Sequence, residues 1–511
     1  MTSIFCWSLY ISTYHYQQRK VMNNRAIKKI TDIERTYHNE IRIVQFGEGN
    51  FLRAFWGKAI HEMNASGVYK GQIAVIQPIK EGKIDLLKKQ NYLYNVALQD
   101  EERNDIVLVE SIREAINPYT DYASFLALAT LPHLQVIISN TTEAGIVLDE
   151  HDSPFSEPPS TFPGKILAFL YERYKSFNGD ESKGLLIIPC ELIERNGERL
   201  LDVVVTLAQL NKMDKSFINW ITIANSFYNT LVDGIVTGFP HKEIDSFTSR
   251  LGYKDELLVK SEPYRFLAIQ GNKEKAKKFP IEKSSIKVVW GDDIQRFRDI
   301  KVRLLNGFQT MLSHYGFYAD ILTEREAVED DIVGKNMTKG LYESIIPTLA
   351  YPEDEKAEFA ATMLKRLKNP GIEHILMDIN LNSFTKFQTR LQPSLEEHKK
   401  KGAIPPFLLF ALALVLSYYT ISEKDSSNRY IGVFKGKKYQ VFDDPKLLQT
   451  LYTIALEATQ KKWTTYEYLS SVMSSEKLWM RNLTLTSDEM NQVSQMIDSI
   501  KAGGVRAVDL F

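Results

Sequence analysis

The spacing of hydrophobic residues changes part-way along the chain. In the first part, short apolar runs alternate with segments that carry apolar residues at helical spacing. The runs predict strands at residues 41–46, 72–77, 106–109, 136–139, 185–189 and 286–290. The helical segments include residues 165–174 and 199–210. This alternation predicts a parallel sheet that is covered by helices on both faces.

From about Asp299 onward, apolar residues recur at helical spacing and β-branched runs are few. The pattern predicts helices at residues 301–314, 338–349, 355–367, 406–419 and 445–459. The predicted fold class is therefore α/β. A Rossmann-like parallel-sheet domain over residues 41–297 precedes a mostly α-helical domain over residues 298–511.

Composition limits the classes of partner. The net charge is −1, so the chain as a whole presents no basic field for nucleic acid or an anionic membrane. The short basic run at residues 399–401 is interpreted as a solvated face. The longest apolar run, residues 407–419, is shorter than the ~20 residues that a membrane-spanning helix needs. A buried helix is the prediction there.

The first 40 residues are expected to form a poorly ordered leader. They lack the basic start, apolar centre and small-residue cleavage site of a signal peptide. Met22 opens a more ordinary polar leader, so the sequence leaves open whether translation starts at Met1 or Met22.

Two cysteines, Cys6 and Cys190, supply neither a disulfide framework nor a thiolate metal site. The nine histidines include no pair at zinc spacing on a helix, so no metal is predicted and a zinc alcohol dehydrogenase is excluded. Sparse cysteine usage favours a reducing, cytoplasmic location.

The first candidate motif follows the first strand, where residues 41–55 read IRIVQFGEGNFLRAF. Gly47 and Gly49 lie where a strand turns sharply into a helix, a turn that places a helix N-terminus against a pyrophosphate. Leu52 occupies the position of the third glycine of the dinucleotide fingerprint. On spacing alone, an ordinary strand-to-helix turn explains the segment equally well.

The second candidate motif lies at the predicted domain boundary, where residues 301–309 read KVRLLNGFQ. On a helix, Asn306 and Gln309 share one face. A lysine such as Lys301 is able to exchange a proton with a carbonyl oxygen, and an asparagine N–H is able to hold that oxygen as negative charge develops. A helix start with a surface lysine and a capping amide is the simpler interpretation of the spacing.

Seven blocks of sequence, taken in order, closely resemble the long-chain mannitol dehydrogenase family. They are GEGNFLRA (47–54), ISNTTEAGI (138–146), IIPCELIERNG (187–197), ANSFYNTLVD (224–233), KVRLLNG (301–307), RLKNPGIEH (366–374) and TKFQTR (385–390). The PCELI and NSF blocks resemble the branch of that family that acts on tagaturonate. The resemblance implies reversible, NAD-dependent reduction of the keto sugar acid tagaturonate to altronate, without a metal.

The resemblance also implies roles for individual residues. Lys301 matches the general acid and base, Asn306 matches the residue that holds the reacting oxygen, and Gln309 lies beside them. The implied cofactor-binding residues are Ile43, Val44, Gln45, Phe46, Gly47, Glu48, Gly49, Asn50, Phe51, Leu52, Arg53, Ala54 and Asn140. Gln77 joins them because it ends the second strand, where it is able to bond the ribose 2′-hydroxyl. His374 and Lys386 lie in blocks that resemble the substrate-facing part of the helical domain. The substrate carboxylate needs a cationic partner, and Lys386 or Arg390 is expected to supply it.

Three positions depart from the family pattern. Gln309 replaces a histidine, Gly234 replaces an arginine, and Leu192 replaces a second asparagine, the last as in the tagaturonate branch. Gln309 forms hydrogen bonds but does not titrate.

These departures leave two alternatives open, a related oxidoreductase acting on fructuronate or another polyol, and a non-catalytic nucleotide-binding relative. Gln77 at the end of the second strand neither requires NAD nor repels NADP, and Lys80 lies nearby. The oligomeric state stays open.

Overall fold

The computed structural model describes residues 29–141 and 145–511, which form two compact units divided between Ile294 and Gln295. The sequence predicts this division three residues later, between 297 and 298. Cys6, Met1 and Met22 lie outside the described residues.

The strands of the first unit are numbered β1 to β13 along the chain. They are β1 Ile41–Phe46, β2 Gln72–Ile76, β3 Tyr94–Gln99, β4 Asn104–Val109, β5 Ile112–Ile116, β6 Val136–Ser139, β7 Leu186–Pro189, β8 Ser226–Phe227, β9 Asn229–Asp233, β10 Val236–Gly238, β11 Val259–Ser261, β12 Phe266–Gln270 and β13 Lys287–Gly291.

Six of these strands form one parallel sheet in the order β5-β2-β1-β6-β7-β8. Numbered within the sheet, this is the 3-2-1-4-5-6 order of a dinucleotide-binding fold. Alternate side chains of β1 enter different cores, Ile43 on one face and Val44 and Phe46 on the other. The Rossmann-like prediction is confirmed, and the order of strands reverses beside β1.

Helices cover both faces of this sheet. Those of the first unit are Lys58–Ala65, Ile84–Lys89, Tyr122–Ala127, Phe162–Ser176, Asn196–Leu210, Lys215–Ala224 and Ile244–Leu251, with a further helical segment at residues 50–57. Short 3₁₀ turns lie at Ile30–Asp32, Leu128–Thr130, Glu181–Lys183, Lys275–Lys278 and Ile281–Lys283.

Two predicted strands lie outside the parallel sheet. Residues 106–109 belong to β4, which pairs antiparallel with β3 in a separate four-stranded sheet. The side chain of Asp100 closes that hairpin by accepting hydrogen bonds from the backbone of Glu102 and Arg103. Residues 286–290 overlap β13, which pairs with β12 in a three-stranded sheet. Partner strands distant in sequence decide both placements.

Residues 29–40 pack on the first unit, where the sequence predicts part of a leader. Arg35 donates hydrogen bonds to the carbonyls of Glu110 and Ile112, and the backbone N–H of Thr36 donates to the Glu110 carboxylate at 2.7 Å. The rest of that predicted leader, residues 1–28, lies outside the described residues.

The second unit is mainly helical, as predicted. Its α-helices are Gln295–Ile300, Gly307–Tyr318, Glu324–Glu329, Val333–Gly340, Glu353–Leu367, Leu376–Ile379, Ser383–Arg390, Gln392–Lys400, Pro406–Tyr418, Pro445–Lys461, Thr465–Met473 and Ser487–Lys501. Two π-helical segments, Lys301–Asn306 and Leu341–Ile345, continue helices without a break. An antiparallel sheet of Ile421–Lys424, Tyr430–Phe434 and Lys437–Gln440 was not predicted.

The apolar helix Pro406–Tyr418 is buried at every position after Pro406, which confirms the predicted core helix. Across residues 29–141 and 145–511, no helix combines the length and the apolar character that crossing a membrane would take.

Candidate functional site

The carboxyl ends of three neighbouring strands meet at the glycine turn. The N–H of Gly47, directly after β1, donates to the carbonyl of Ile76 at the end of β2, at 2.9 Å. The N–H of Asn140, directly after β6, donates to the carbonyl of Phe46 at 3.3 Å. Ligands of parallel α/β sheets bind outside this edge, where the strand order reverses.

The two glycines of the turn differ in backbone conformation and in the space around them. Gly47 has a φ of +114°, and a Cβ added there would lie 2.9 Å from Cδ1 of Leu52. Gly49 has an ordinary φ of −66°, and a Cβ there would meet no atom within 4 Å. Gly47 is therefore required by the fold, whereas Gly49 borders open space.

A helix begins directly after Gly49 and runs through residues 50–65. Its second turn is π-helical over Arg53–Gly57, where the N–H of Lys58 donates to the carbonyl of Arg53. The first N–H groups of a helix have no acceptor within the helix itself. Here they border the open space at Gly49, and the helix dipole adds positive character.

Arg53 holds the turn in shape. Its guanidinium is buried and donates to the carbonyl of Glu48 at 3.2 Å, to Oδ1 of Asn50 at 2.7 Å and to the carbonyl of Leu257. Its own carbonyl accepts a hydrogen bond from the hydroxyl of Tyr94 at 3.0 Å. Burial lowers the pKa of Arg53. Arg53 is thus a support of the turn.

Glu48 projects from the turn towards the end of β2. Its Oε1 accepts a hydrogen bond from the N–H of Lys83 at 3.2 Å. A Cβ added at Gly82 would lie 2.3 Å from that oxygen and 2.4 Å from Oε1 of Gln77. Burial raises the pKa of Glu48, while the Lys83 N–H and Arg53 oppose the rise.

The remaining residues of the implied cofactor set are mostly internal. The side chains of five of them are buried in the two cores: Ile43, Val44, Phe46, Leu52 and Ala54. Gln45 donates to the carbonyl of Gly47 at 2.8 Å, and Gln77 donates to the carbonyls of Ile79 and Lys80 at 3.0 and 2.8 Å. Phe51 stacks on Phe55 with a centroid distance of 5.0 Å. These residues shape the turn from inside.

A buried carboxylate that the sequence analysis did not single out supports the β6 end of this edge. Glu191 accepts hydrogen bonds from the hydroxyl of Ser139 at 3.1 Å and from the N–H and hydroxyl of Thr141 at 2.9 Å each. Burial raises its pKa. Glu191 thereby fixes the backbone on both sides of Asn140. Residues 142–144 lie outside the described residues.

The second motif lies on one long helix of the second unit, residues 295–318. Its π-helical segment is Lys301–Asn306, and the N–H of Gly307 donates to the carbonyl of Val302. Lys301 is buried, with 8% of its surface exposed. A π-segment inside an α-helix is frequently found at functional sites because it redirects the side chains that flank it.

Asn306 ends the π-segment with an unused acceptor. Its Oδ1 is buried and accepts no hydrogen bond from any residue that the structure describes. Its backbone carbonyl accepts from the hydroxyl of Thr310 at 2.8 Å, and that hydroxyl in turn accepts from Nη1 of Arg390 at 3.2 Å. The Thr310 hydroxyl therefore links Arg390 to the backbone of Asn306.

Gln309 and His374 are joined by a third residue, Glu324. Nε2 of Gln309 donates to Oε1 of Glu324 at 2.8 Å, and Nδ1 of His374 lies 3.1 Å from Oε2. The Glu324 side chain is 3% exposed and that of His374 is 31% exposed. A buried carboxylate thus links the non-titrating Gln309 to a histidine.

Sequence reasoning missed Glu324, because its only local signal is the helix start at Thr323. There the Thr323 hydroxyl and the Glu326 carboxylate form a reciprocal cap. The cap fixes the backbone but does not reveal which way Glu324 points.

Lys386 lies elsewhere on the helix that carries Arg390. Its Nζ donates to the carbonyl of Ile379 at 2.9 Å. Its charge helps to lower the pKa of His314, for which burial is the larger cause.

Two family models match consecutive parts of the chain. Residues 41–283 match the mannitol dehydrogenase Rossmann domain, and residues 293–501 match the mannitol dehydrogenase C-terminal domain. The chain belongs to the mannitol dehydrogenase family. The family predicted from the seven sequence blocks is thereby confirmed.

Individual relatives agree with this membership. An altronate oxidoreductase of Phocaeicola vulgatus is 36% identical over 470 residues, which cover 91% of this chain and 95% of its own. An altronate oxidoreductase of Bacillus subtilis is 37% identical over 464 residues, which cover 90% and 91% of the two chains. That of Klebsiella pneumoniae is 37% identical over 471 residues, which cover 91% and 95%.

Two solved structures share the fold. The mannitol 2-dehydrogenase of Pseudomonas fluorescens, solved in a ternary complex with NAD and D-mannitol, matches with a TM-score of 0.74 at 18% identity and covers 92% of this chain and 94% of its own. A D-sorbitol dehydrogenase in substrate-free form matches with a TM-score of 0.73 at 18% identity and covers 94% and 99%.

Proposed function

We propose that this member of the mannitol dehydrogenase family is a reversible NAD-dependent oxidoreductase that interconverts D-tagaturonate and D-altronate. The observation that carries the proposal is the similarity to altronate oxidoreductases at 36–37% identity over at least nine-tenths of both chains. The motifs Gly47–Gly49 and Lys301–Asn306 support it, because both retain the groups that hydride transfer to a carbonyl requires.

The glycine turn fits a dinucleotide. A pyrophosphate needs close approach to a backbone and N–H groups without internal acceptors. Gly49 offers the first, since even a Cβ would meet nothing there, and the start of the helix at Asn50 offers the second. Gly47, Glu48, Gly49, Asn50 and Phe51 would hold the cofactor.

Side chains of this protein transfer the proton and stabilise the reacting oxygen of the substrate. When bound, NADH would supply the hydride that reduces the substrate's carbonyl carbon. Lys301 donates a proton to the carbonyl oxygen as the C=O π bond breaks, and takes a proton from the hydroxyl in the reverse direction. The Asn306 side-chain N–H holds that oxygen while negative charge develops on it.

Polar residues around Asn306 are assigned to the sugar acid. Arg390 offers a guanidinium suited to a carboxylate, and Lys386 offers a second cation. Gln309, Glu324 and His374 form a hydrogen-bonded chain whose outer end, His374, is partly exposed. We assign this chain to the sugar hydroxyls, which need both donors and acceptors.

A substrate panel tests the proposal. Oxidation of NADH is followed by absorbance with tagaturonate, fructuronate and fructose, each also with NADPH. Turnover fastest with tagaturonate and NADH is the expected result. A preference for fructuronate or another polyol would reassign the substrate within the family. NADH binding without any turnover would favour a non-catalytic nucleotide-binding relative, for which Gln309 and Gly234 are the motivation.

The second departure from the family pattern has a structural reason to persist. A Cβ at Gly234 would lie 3.3 Å from the carbonyl oxygen of Tyr264 and 3.7 Å from Cγ of Arg265. A side chain at 234 would require the Tyr264 carbonyl to shift by a few tenths of an ångström, whereas the distance to Arg265 is an ordinary contact. We also place the reaction in the cytoplasm, on the basis of sparse cysteine usage.

A further inference from the structure

We infer that Glu48 makes the nucleotide site selective for NAD over NADP. The inference rests on the proposed function only in taking the glycine turn as the dinucleotide site. Glu48 belongs to the turn itself, and its carboxylate serves here in place of the acidic residue that ends the second strand in many NAD-binding folds.

The end of β2 carries no acidic residue of its own. NAD-binding folds commonly place an aspartate or glutamate there, where it accepts hydrogen bonds from the adenosine ribose hydroxyls. Gln77 occupies this position, and its Nε2 is already engaged with the carbonyls of Ile79 and Lys80. Its amide therefore secures the loop that follows β2 and adds no charge.

The turn after β1 brings a carboxylate to the same place. Oε1 of Glu48 and Oε1 of Gln77 each lie within 2.5 Å of the point where a Cβ of Gly82 would stand, so the two oxygens are neighbours. The N–H of Lys83 donates to Oε1 of Glu48, which fixes the carboxylate against the loop. A side chain at 82 would move the ends of both side chains, whereas Gly82 leaves them in place.

Charge then decides between the two nucleotides. NADP carries a phosphate on the 2′-hydroxyl that NAD leaves free, and a fixed carboxylate repels it. Lys80 and Lys83 are the cations of the same loop, and both are exposed. Exposed lysines are flexible and screened by solvent, whereas Glu48 is partly buried and held. The carboxylate therefore dominates the choice.

Glu48→Gln tests the inference, because a glutamine keeps the acceptor for the Lys83 N–H and removes only the charge. Dissociation constants of NADH and NADPH are measured by nucleotide fluorescence with the full chain in the absence of substrate. The unaltered chain is expected to prefer NADH. In Glu48→Gln the ratio of the two constants is expected to shift towards NADPH by about ten- to a hundredfold. Glu81→Gln, an exposed glutamate in the same loop, should leave the ratio unchanged.

Other results overturn the inference. An unchanged ratio in Glu48→Gln would make Glu48 a support of the loop only, as would an equal loss of affinity for both nucleotides. Failure of the unaltered chain to bind either nucleotide would overturn the proposed function as well. Selective NADH binding that depends on Glu48, without reduction of tagaturonate, would sustain this inference while the proposed substrate fails.

Discussion

The glycine turn of the first unit and the Lys301 helix of the second both contain a π-helical segment, but their polar side chains are engaged differently. Each carries a π-helical segment at its motif, Arg53–Gly57 in one and Lys301–Asn306 in the other. In the turn, the guanidinium of Arg53 donates hydrogen bonds to oxygen atoms of Glu48, Asn50 and Leu257. On the helix, Oδ1 of Asn306 is buried and unused by any described residue.

This difference distinguishes residues that hold the backbone in place from residues that act in the reaction. A cofactor that is recognised through backbone N–H groups needs a rigid cradle, so the polar side chains around it are occupied in holding the backbone. A reacting carbonyl oxygen needs a donor, which on Asn306 is the side-chain N–H, whereas the buried Oδ1 without a described partner is a cost in stability. Substitutions in the turn should therefore alter folding or cofactor binding, whereas substitutions on the helix should alter the rate.

The largest effect is expected for Lys301→Ala. Removal of an acid–base group typically lowers kcat by ~10²–10⁴, and the affinity for NADH should stay as it was because the turn is untouched. Steady-state kinetics and a nucleotide titration measure the two quantities. Lys368→Ala, which removes an exposed lysine of the same unit, is the matched control and should leave both unchanged. A near-normal rate in Lys301→Ala would place the proton donor elsewhere.

Asn306→Ala should come next. Loss of one group that stabilises a developing oxyanion typically costs about 10²–10³ in kcat. Because Oδ1 of Asn306 has no partner among the described residues, the melting temperature should change little. Kinetics and calorimetry on the same preparation separate the two outcomes. A large loss of stability with a modest loss of rate would show that Asn306 belongs with Arg53, as a support.

The sequence predicts those features of the two regions that depend on neighbouring residues. It does not predict those that depend on residues distant in the chain. Strands β1 and β6 begin and end as predicted, since short apolar runs with turn residues beside them are local signals. The link from Gln309 to His374 was not predictable, because Glu324 and His374 are 50 residues apart and meet only through the fold. The position of Glu48 beside Gln77 depends likewise on how two loops pack.

The two units should share one response to acid. His61 and His314 are fully buried, and burial lowers the pKa of each imidazole from 6.5 to about 4. The unfolded chain then binds the proton more readily than the folded one. The stabilising contribution is complete above the unfolded pKa and is lost as the pH falls towards about 4, by roughly 3 kcal/mol for each histidine.

Thermal melts across this pH range check that expectation. His61→Asn and His314→Asn should each flatten the acid branch of the stability curve, while the exposed His151→Asn should not. If only one of the buried positions changed the slope, acid sensitivity would belong to one unit and would become a further difference between them.

The smallest effect is expected for a substitution that tests cofactor binding at the glycine turn separately from folding. Gly49→Ala adds a methyl group at a φ of −66° where no atom lies within 4 Å, so the melting temperature should be unchanged. The methyl group would occupy the space in which a pyrophosphate approaches the backbone, and NADH affinity should fall about tenfold.

Gly47→Ala is the matched contrast. Its φ of +114° and the 2.9 Å approach to Leu52 should cost about 1–3 kcal/mol of stability. Undiminished NADH binding by Gly49→Ala would mean that no ligand approaches the turn there, and that its open geometry is an accident of the fold.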